Sequence, residues 1–394
     1  MKKRYLLLIP VVACIIISAA SIGYIQLHPD RAPDGARFLT QLSGSKQAEP
    51  GSAADSQEEE SLNTAQRHAR ELAASMTLEQ KIYQIMFVSP EVLTDSGDTV
   101  VRAGDATKQS IVHAPVGGVL YSSQNVQTQE QITEMLNNTQ EYAKASGAKI
   151  PMFLGIEDSN SSVSQLLGMD DLSFDGEASR AKEVGNSRAS RLTSVGFNVE
   201  FAPSADISDT EDPADVSETV RSAISAMQQG SVLSAISHFP GEGSADADPA
   251  AGAASTDRSL QEFEDTDFTS FQAGIEADVS FVVVSNMTAS AFDDVPCSLS
   301  EAVVTKLLRN ELGYDGIILT GKLTDAAITG SYATSESVVQ AIQAGADMLL
   351  CPSNVQDAYL AISSAVADGT ITEDRITESV QRILTAKIAY GIMT

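Results

Sequence analysis

Carboxylates, one histidine and one lysine recur in this chain just beyond short apolar runs. Glu157-Asp158 follows Met152–Ile156, Asp206 follows Asn198–Ala202, His238 and Glu242 close and follow Leu233–Phe239, Asn286 follows Phe281–Val284, and Lys322 follows Ile317–Thr320. Ionised carboxylates accept several hydrogen bonds each, so Glu157 and Asp158 could hold the hydroxyls of a sugar. The competing reading is that they cap the next helix, a common use of a short acid at that place. His238 lies among Pro240, Gly241 and Gly243, which suggests a fixed turn presenting the imidazole; a lone histidine is also a frequent structural group. Glu157, Asp158, Asp206, Glu242 and Asp248 form the pool from which an acid/base pair could be drawn. At Thr320-Gly321-Lys322 the pattern changes. A strand end suited to a reactive carboxylate offers a glycine and a cation.

These positions carry meaning only if the apolar runs are strands of one sheet. Eight such runs occur: Gln80–Val88 at its end, Val116–Tyr121, Met152–Ile156, Asn198–Ala202, Leu233–Phe239, Phe281–Val284, Ile317–Thr320 and Met348–Cys351. Continuous apolar runs are the mark of parallel strands covered on both faces. Between them apolar residues recur at helical spacing, as in Ile132, Met135, Leu136 and Thr139, or Val303, Leu307, Leu308 and Leu312. The alternation predicts an α/β fold, a (β/α)8 TIM-type barrel with its chemistry on C-terminal strand ends. An open doubly wound sheet would want a glycine-rich turn after its first strand, and Ser89-Pro90-Glu91-Val92 is not one.

Composition sets outer bounds. The 394 residues carry a net charge of -28, which repels nucleic-acid phosphates and argues against nucleic-acid binding. The three cysteines, Cys14, Cys297 and Cys351, form no disulfide framework or zinc signature; Cys297 and Cys351 are read as free thiols, with a single bridge as the alternative. His28, His68, His113 and His238 show no ligand spacing, so neither metal nor cofactor is expected. Lys2, Lys3 and Arg4 precede an apolar run from Tyr5 to Leu27, near the ~20 residues that span a bilayer. An uncleaved anchor competes with cleavage after Ala20 and with lipidation at Cys14. Isoleucines 15 to 17 extend the run beyond Cys14 and favour the anchor. The expected organisation is a membrane segment over 1–27, a disordered acidic linker over 28–61 and one barrel over 62–394, outside the cytoplasm. Cleavage would make the barrel a secreted one.

Gly117-Gly118-Val119-Leu120, Gly196-Phe197-Asn198-Val199-Glu200-Phe201-Ala202-Pro203, His238-Phe239-Pro240-Gly241, Asp257-Arg258-Ser259-Leu260 and Gly345-Ala346-Asp347-Met348-Leu349 together resemble the N-terminal barrel of family 3 glycoside hydrolases. The bacterial β-N-acetylhexosaminidase type is the nearest. The resemblance implies a retaining mechanism with an aspartate nucleophile and a histidine acid/base paired with an aspartate. It also places the departures. The nucleophile position is Gly321 and the acid/base position is Ala250, although Asp248 remains. The family's sugar-clamping arginine is Ser162, its Lys-His pair is Ser237-His238, and its Ser-His is Ser285-Asn286. A further family arginine has no counterpart in Asp212–Ser217.

General acid/base catalysis alone supplies ~10²- to 10⁴-fold, so turnover by the family's route should be negligible. The resemblance therefore implies a pseudoenzyme at the cell surface that binds an N-acetylglucosamine-containing glycan, a peptidoglycan fragment or a protein. Glu157, Asp158, Asp206, His238, Glu242, Asp248, Asn286 and Lys322 are its candidate ligand-binding residues. A hydrolase built on replacement carboxylates is the alternative, with the pair about 5 to 5.5 Å apart for retention or about 6.5 to 9.5 Å for inversion. A structural spacer is the third reading.

Overall fold

The computed structural model describes residues 53–393 apart from 173–175 and 209, with backbone alone over 53–61. Two compact units divide the chain, Met1–Glu58 and Glu59–Thr394. Of the first, only the helical backbone from Ala53 onward is described; the membrane segment over 1–27, Cys14 and the linker up to residue 52 lie outside the described residues. No helix among the described residues is long and apolar enough to cross a membrane. A helix runs over Ala53–Ser75, so residues 53–61 are helical.

The second unit is built on eight parallel strands: β1 Met86–Val88, β2 Gly118–Ser122, β3 Phe153–Glu157, β4 Val199–Glu200, β5 Leu233–Phe239, β6 Phe281–Val284, β7 Ile317–Leu319 and β8 Leu349–Leu350. Their order is β8-β1-β2-β3-β4-β5-β6-β7. The two ends meet through a parallel bridge between Leu319 and Met348, with Thr320 N–H donating to Met348 O at 3.1 Å. This nearly closed ring with helices between its strands is a TIM-type α/β barrel, as the alternation predicts. Strand β4 is shorter than its apolar run. The Asn198 side chain takes over pairing there, accepting from Leu154 N–H at 2.8 Å and donating to Met152 O at 3.2 Å, and Pro203 has no N–H to continue the ladder.

Aromatic rings fill the barrel. Phe87 packs on Phe153 with centroids 6.3 Å apart and on Phe201 at 5.6 Å, and Phe153 meets Phe281 at 5.1 Å. Gly155 makes room for this cluster, since a Cβ there would come within 2.9 Å of Phe87 Cζ. Truncating one of these buried rings to alanine costs ~3–5 kcal/mol. Ile132, Met135, Leu136 and Thr139 form the buried face of the helix Gln129–Ala145. Val303, Leu307, Leu308 and Leu312 are buried likewise. Cys297 and Cys351 are both free and buried, and burial pushes each thiol up to about 12.

Candidate functional site

At the C-terminal strand ends lies a cavity of about 430 Å³ whose polar walls include Glu157, His238, Glu242, Lys322 and Asp325. Gly321 and Ala250 also line it, so both expected catalytic positions face one space.

The fifth strand supplies the central group. His238 Nδ1 lies 2.9 Å from Asp206 Oδ2 and 3.4 Å from Glu242 Oε2. Asp206 is the organiser: its Oδ1 accepts the backbone N–H of His238 at 3.0 Å and of Glu242 at 2.7 Å. It therefore sits behind the imidazole and fixes the turn, and it does not line the cavity itself. Two glycines allow this turn. Gly241 has φ +136°, and a Cβ at Gly243 would stand 2.0 Å from Ile207 O. Beneath the loop, Asp267 accepts from Ile207 N–H at 3.3 Å and is engaged by Arg258.

The electrostatics follow from these contacts. Burial works against the His238 imidazolium, but the Asp206 carboxylate outweighs it and raises the imidazole to about 9. Burial likewise opposes ionisation of Asp206, yet His238 and the two backbone donors hold its carboxyl below the ordinary value. At neutral pH His238 is therefore a cation between two acids and has no free lone pair at Nδ1 to act as a base. Glu242 differs. Burial pushes its carboxyl up despite His238 and despite Ser285 Oγ, which donates to Oε1 at 2.5 Å.

Across the mouth, Lys322 forms an ion pair with Glu157, joining the end of β7 to the end of β3. Burial opposes its charge, but Glu157 raises the ammonium above its ordinary value. Beside it, the Asn286 amide donates to Lys322 O at 2.8 Å and to Asp325 Oδ2 at 2.9 Å, while Ser298 Oγ donates to its oxygen at 2.6 Å. This fixed amide covers Gly321. A Cβ at 321 would stand 2.6 Å from Asn286 Cγ and Nδ2.

Of the candidate residues, Glu157, Asp158, His238, Glu242, Asp248, Asn286 and Lys322 line the cavity. The two oxygens of Asp158 accept from Val163 N–H at 3.0 Å and Ser164 N–H at 2.6 Å, so it caps the helix Ser162–Leu167, as the competing reading has it, while also lining the cavity. Asp248 turns back on its own loop, accepting from Ala250 N–H at 2.9 Å. Among the charged residues lining the cavity, sequence reasoning missed three, Asp325, Arg188 and Glu200. Asp325 lies two residues beyond the Thr320–Leu323 motif, and burial pushes its carboxyl up although Asn286 donates to it. Arg188 and Glu200 form a buried ion pair. Arg188 on a helix and Glu200 on a strand show no spacing that would pair them in the sequence.

Eight parallel strands closing nearly to a ring, with an acid-lined cavity at their C-terminal ends, define a TIM-type α/β barrel. The Glycosyl hydrolase family 3 N terminal domain matches residues 77–386, and the chain belongs to that family. It is similar to "Beta-hexosaminidase A" of Pseudoalteromonas piscicida, 25% identical over 367 residues that cover 80% of this chain and 61% of the relative. A "Beta-hexosaminidase" of Idiomarina loihiensis is 24% identical, covering 77% of this chain and 94% of the relative. Among solved structures, a glycoside hydrolase family 3 beta-N-acetylglucosaminidase from Paenibacillus sp. str. FPU-7 superposes with a TM-score of 0.71 at 26% identity, covering 81% of this chain and 63% of that one. The chain thus spans about three fifths of the Pseudoalteromonas relative (61%) and of the Paenibacillus structure (63%).

Proposed function

We propose that this protein is a non-catalytic family 3 barrel that binds a hexosamine-containing glycan, such as a peptidoglycan fragment, at the cell surface, where the N-terminal apolar segment holds it. One observation carries the reading. In the quarter of the mouth where the resemblance expects a nucleophilic carboxylate, Gly321 is covered by the fixed Asn286 amide and flanked by a lysine already paired with Glu157. The relatives' names supply the ligand class. Their substrates are hexosaminides by name, and the polar cavity here suits a sugar ring.

Titration calorimetry of the full chain against acetylated and deacetylated chito-oligosaccharides and muropeptides tests it. Saturable heat with at least one of them supports glycan binding, and a flat response to all of them ends that reading in favour of a protein partner or a spacer. A second reading has its own support: Glu242 and Asp325 face the same cavity with carboxyls raised above their ordinary values by burial, as a proton donor requires. Turnover of a chromogenic N-acetyl-β-glucosaminide, lost in Glu242→Gln or Asp325→Asn, would establish that hydrolase instead.

A further inference from the structure

Beyond β5 the chain makes a loop that is pinned at its base and lightly held at its tip. At the base, Asp246 N–H donates to Ser255 O at 2.9 Å, and Ser255 answers with its N–H to Asp246 Oδ1 at 2.6 Å and its hydroxyl to Oδ2 at 2.9 Å. Ser255–Thr256 then pairs in parallel with Thr288–Ala289, and Ser244 Oγ lies 2.9 Å from Thr256 Oγ1. The arms beyond this clasp are different. Ala247, Ala250, Ala251 and Ala253 are exposed, and a Cβ at Gly252 would meet nothing within 4 Å. Side chains this small and this exposed bury little apolar surface to hold the loop down.

The tip rests on the barrel. Pro249 is buried, its carbonyl accepts from Ala327 N–H at 3.0 Å, and that of Ala250 accepts from Ala326 N–H at 3.3 Å. These bonds dock the tip on the helix Ala326–Thr329, directly after Asp325. On the other side, Asp248, Pro249 and Ala250 form a wall of the cavity that Lys322 and Asp325 also line. A segment with a fixed base, exposed small side chains and a tip held by one proline and backbone bonds is the kind that opens locally while the fold stays intact.

We propose that residues 247–253 are a flap, hinged at the Asp246–Ser255 clasp and latched shut on Ala326 and Ala327, and that undocking the tip widens the mouth to admit an oligosaccharide. The inference rests on the glycan-binding reading above and adds how that ligand enters and leaves. The family resemblance puts an acid/base on this segment; with Ala250 there the tip delivers no reacting group, and its docking contact controls access alone. The latch meets the site directly, because Ala326 follows Asp325, whose carboxylate accepts from the Asn286 amide at 2.9 Å. Movable loops at a mouth commonly set entry and release rates.

Ala326→Pro tests the latch, because it removes one of its donors and spares the helix. Proline is favoured at a first helical position, and Asp325 already has the extended backbone that a residue before proline needs, with φ −59° and ψ 146°. Hydrogen exchange of the full chain without ligand, read by mass spectrometry, should show 247–253 exchanging about fivefold faster in the variant, the weight of one hydrogen bond, with β5 and β7 unchanged. Pro249→Gly should act in the same direction by removing the buried ring. Association and dissociation of chitotetraose in stopped flow should both quicken by a similar factor. Loop exchange as slow as that of the strands, or unchanged in both variants, overturns the flap. Faster exchange with unchanged ligand rates overturns its role as a gate. If no glycan binds, the glycan-binding reading falls, and the gate is decided by Ser237→Cys, a cavity position. Its labelling by a bulky maleimide should quicken about fivefold when Ala326→Pro is added, and equal labelling overturns the gate.

Discussion

Two residues decide how the mouth behaves. Gly321 is tied to Asn286 by shape: three hydrogen bonds of 2.6 to 2.9 Å fix the amide against which any Cβ at 321 would collide. Gly321→Asp should therefore destabilise the barrel by ~1–3 kcal/mol, the usual cost of overpacking, and give no turnover of an N-acetyl-β-glucosaminide. Urea unfolding measures the first, and adding Asn286→Ala should recover part of the loss. Unchanged stability together with turnover would show that Asn286 yields and that the acid/base position has been misplaced at Ala250. His238 makes the other prediction. Its imidazole should titrate by NMR with a midpoint near 9 and show no transition between pH 6 and 7.5. Asp206→Asn should return the midpoint toward the ordinary 6.5. A wild-type midpoint already near that value would mean that the Asp206 contact is open in solution.

Between the elements, one buried acid does the tying. Asp347, just before β8, is fully buried and meets Arg309 at 2.5 Å, Arg382 at 3.0 Å and Arg375 at 3.8 Å. It also accepts from Ser379 Oγ at 2.9 Å and Ile318 N–H at 3.0 Å. Burial opposes its charge, but the three guanidiniums hold its carboxyl below the ordinary value. Asp347→Ala should cost ~3–5 kcal/mol in urea unfolding because it leaves three partly buried arginines clustered without their acid; a loss under ~1 kcal/mol would mean that water replaces the acid. The sequence shows Asp347 only as part of a Gly-Ala-Asp motif. Its partners come from the helices Ala302–Glu311 and Glu373–Ala389, and nothing local foretells that convergence. The strands were legible for the opposite reason. A doubly buried parallel strand writes its burial into a continuous run such as Phe281–Val284, and its C-terminal end then locates the mouth. What the runs cannot reveal is where a side chain turns. Asp158 and Glu157 are neighbours, yet one caps a helix and the other reaches Lys322, 165 residues away along the chain.

Across the whole molecule, two cations sit at opposite ends of the barrel with opposite dependence on pH. Lys387 lies fully buried beneath the N-terminal strand ends, donating to Gln84 Oε1 at 2.9 Å over the Phe153 ring at 4.9 Å. Burial pushes its ammonium from 10.5 down to about 7. Folding must therefore release or desolvate a proton that the unfolded chain keeps, a penalty that is full below about pH 7 and fades as pH rises toward 10.5. His238 acts the other way, because its folded value is raised. Its stabilisation is fully present below 6.5 and is lost as pH rises through about 9, and its partial exposure at the mouth makes it the smaller effect. Between pH 7 and 9 the two oppose each other. Lys387→Met removes the buried charge at similar volume and should stabilise the barrel by ~1–3 kcal/mol near pH 7, less the unpaired Gln84 oxygen it leaves. The gain should shrink steadily toward pH 9, and the variant's own stability should decline over that interval as the His238 term emerges. Urea unfolding at several pH values from 6 to 9 checks both. A variant whose profile parallels the wild type throughout would mean that Lys387 keeps its proton and a share of water inside the fold.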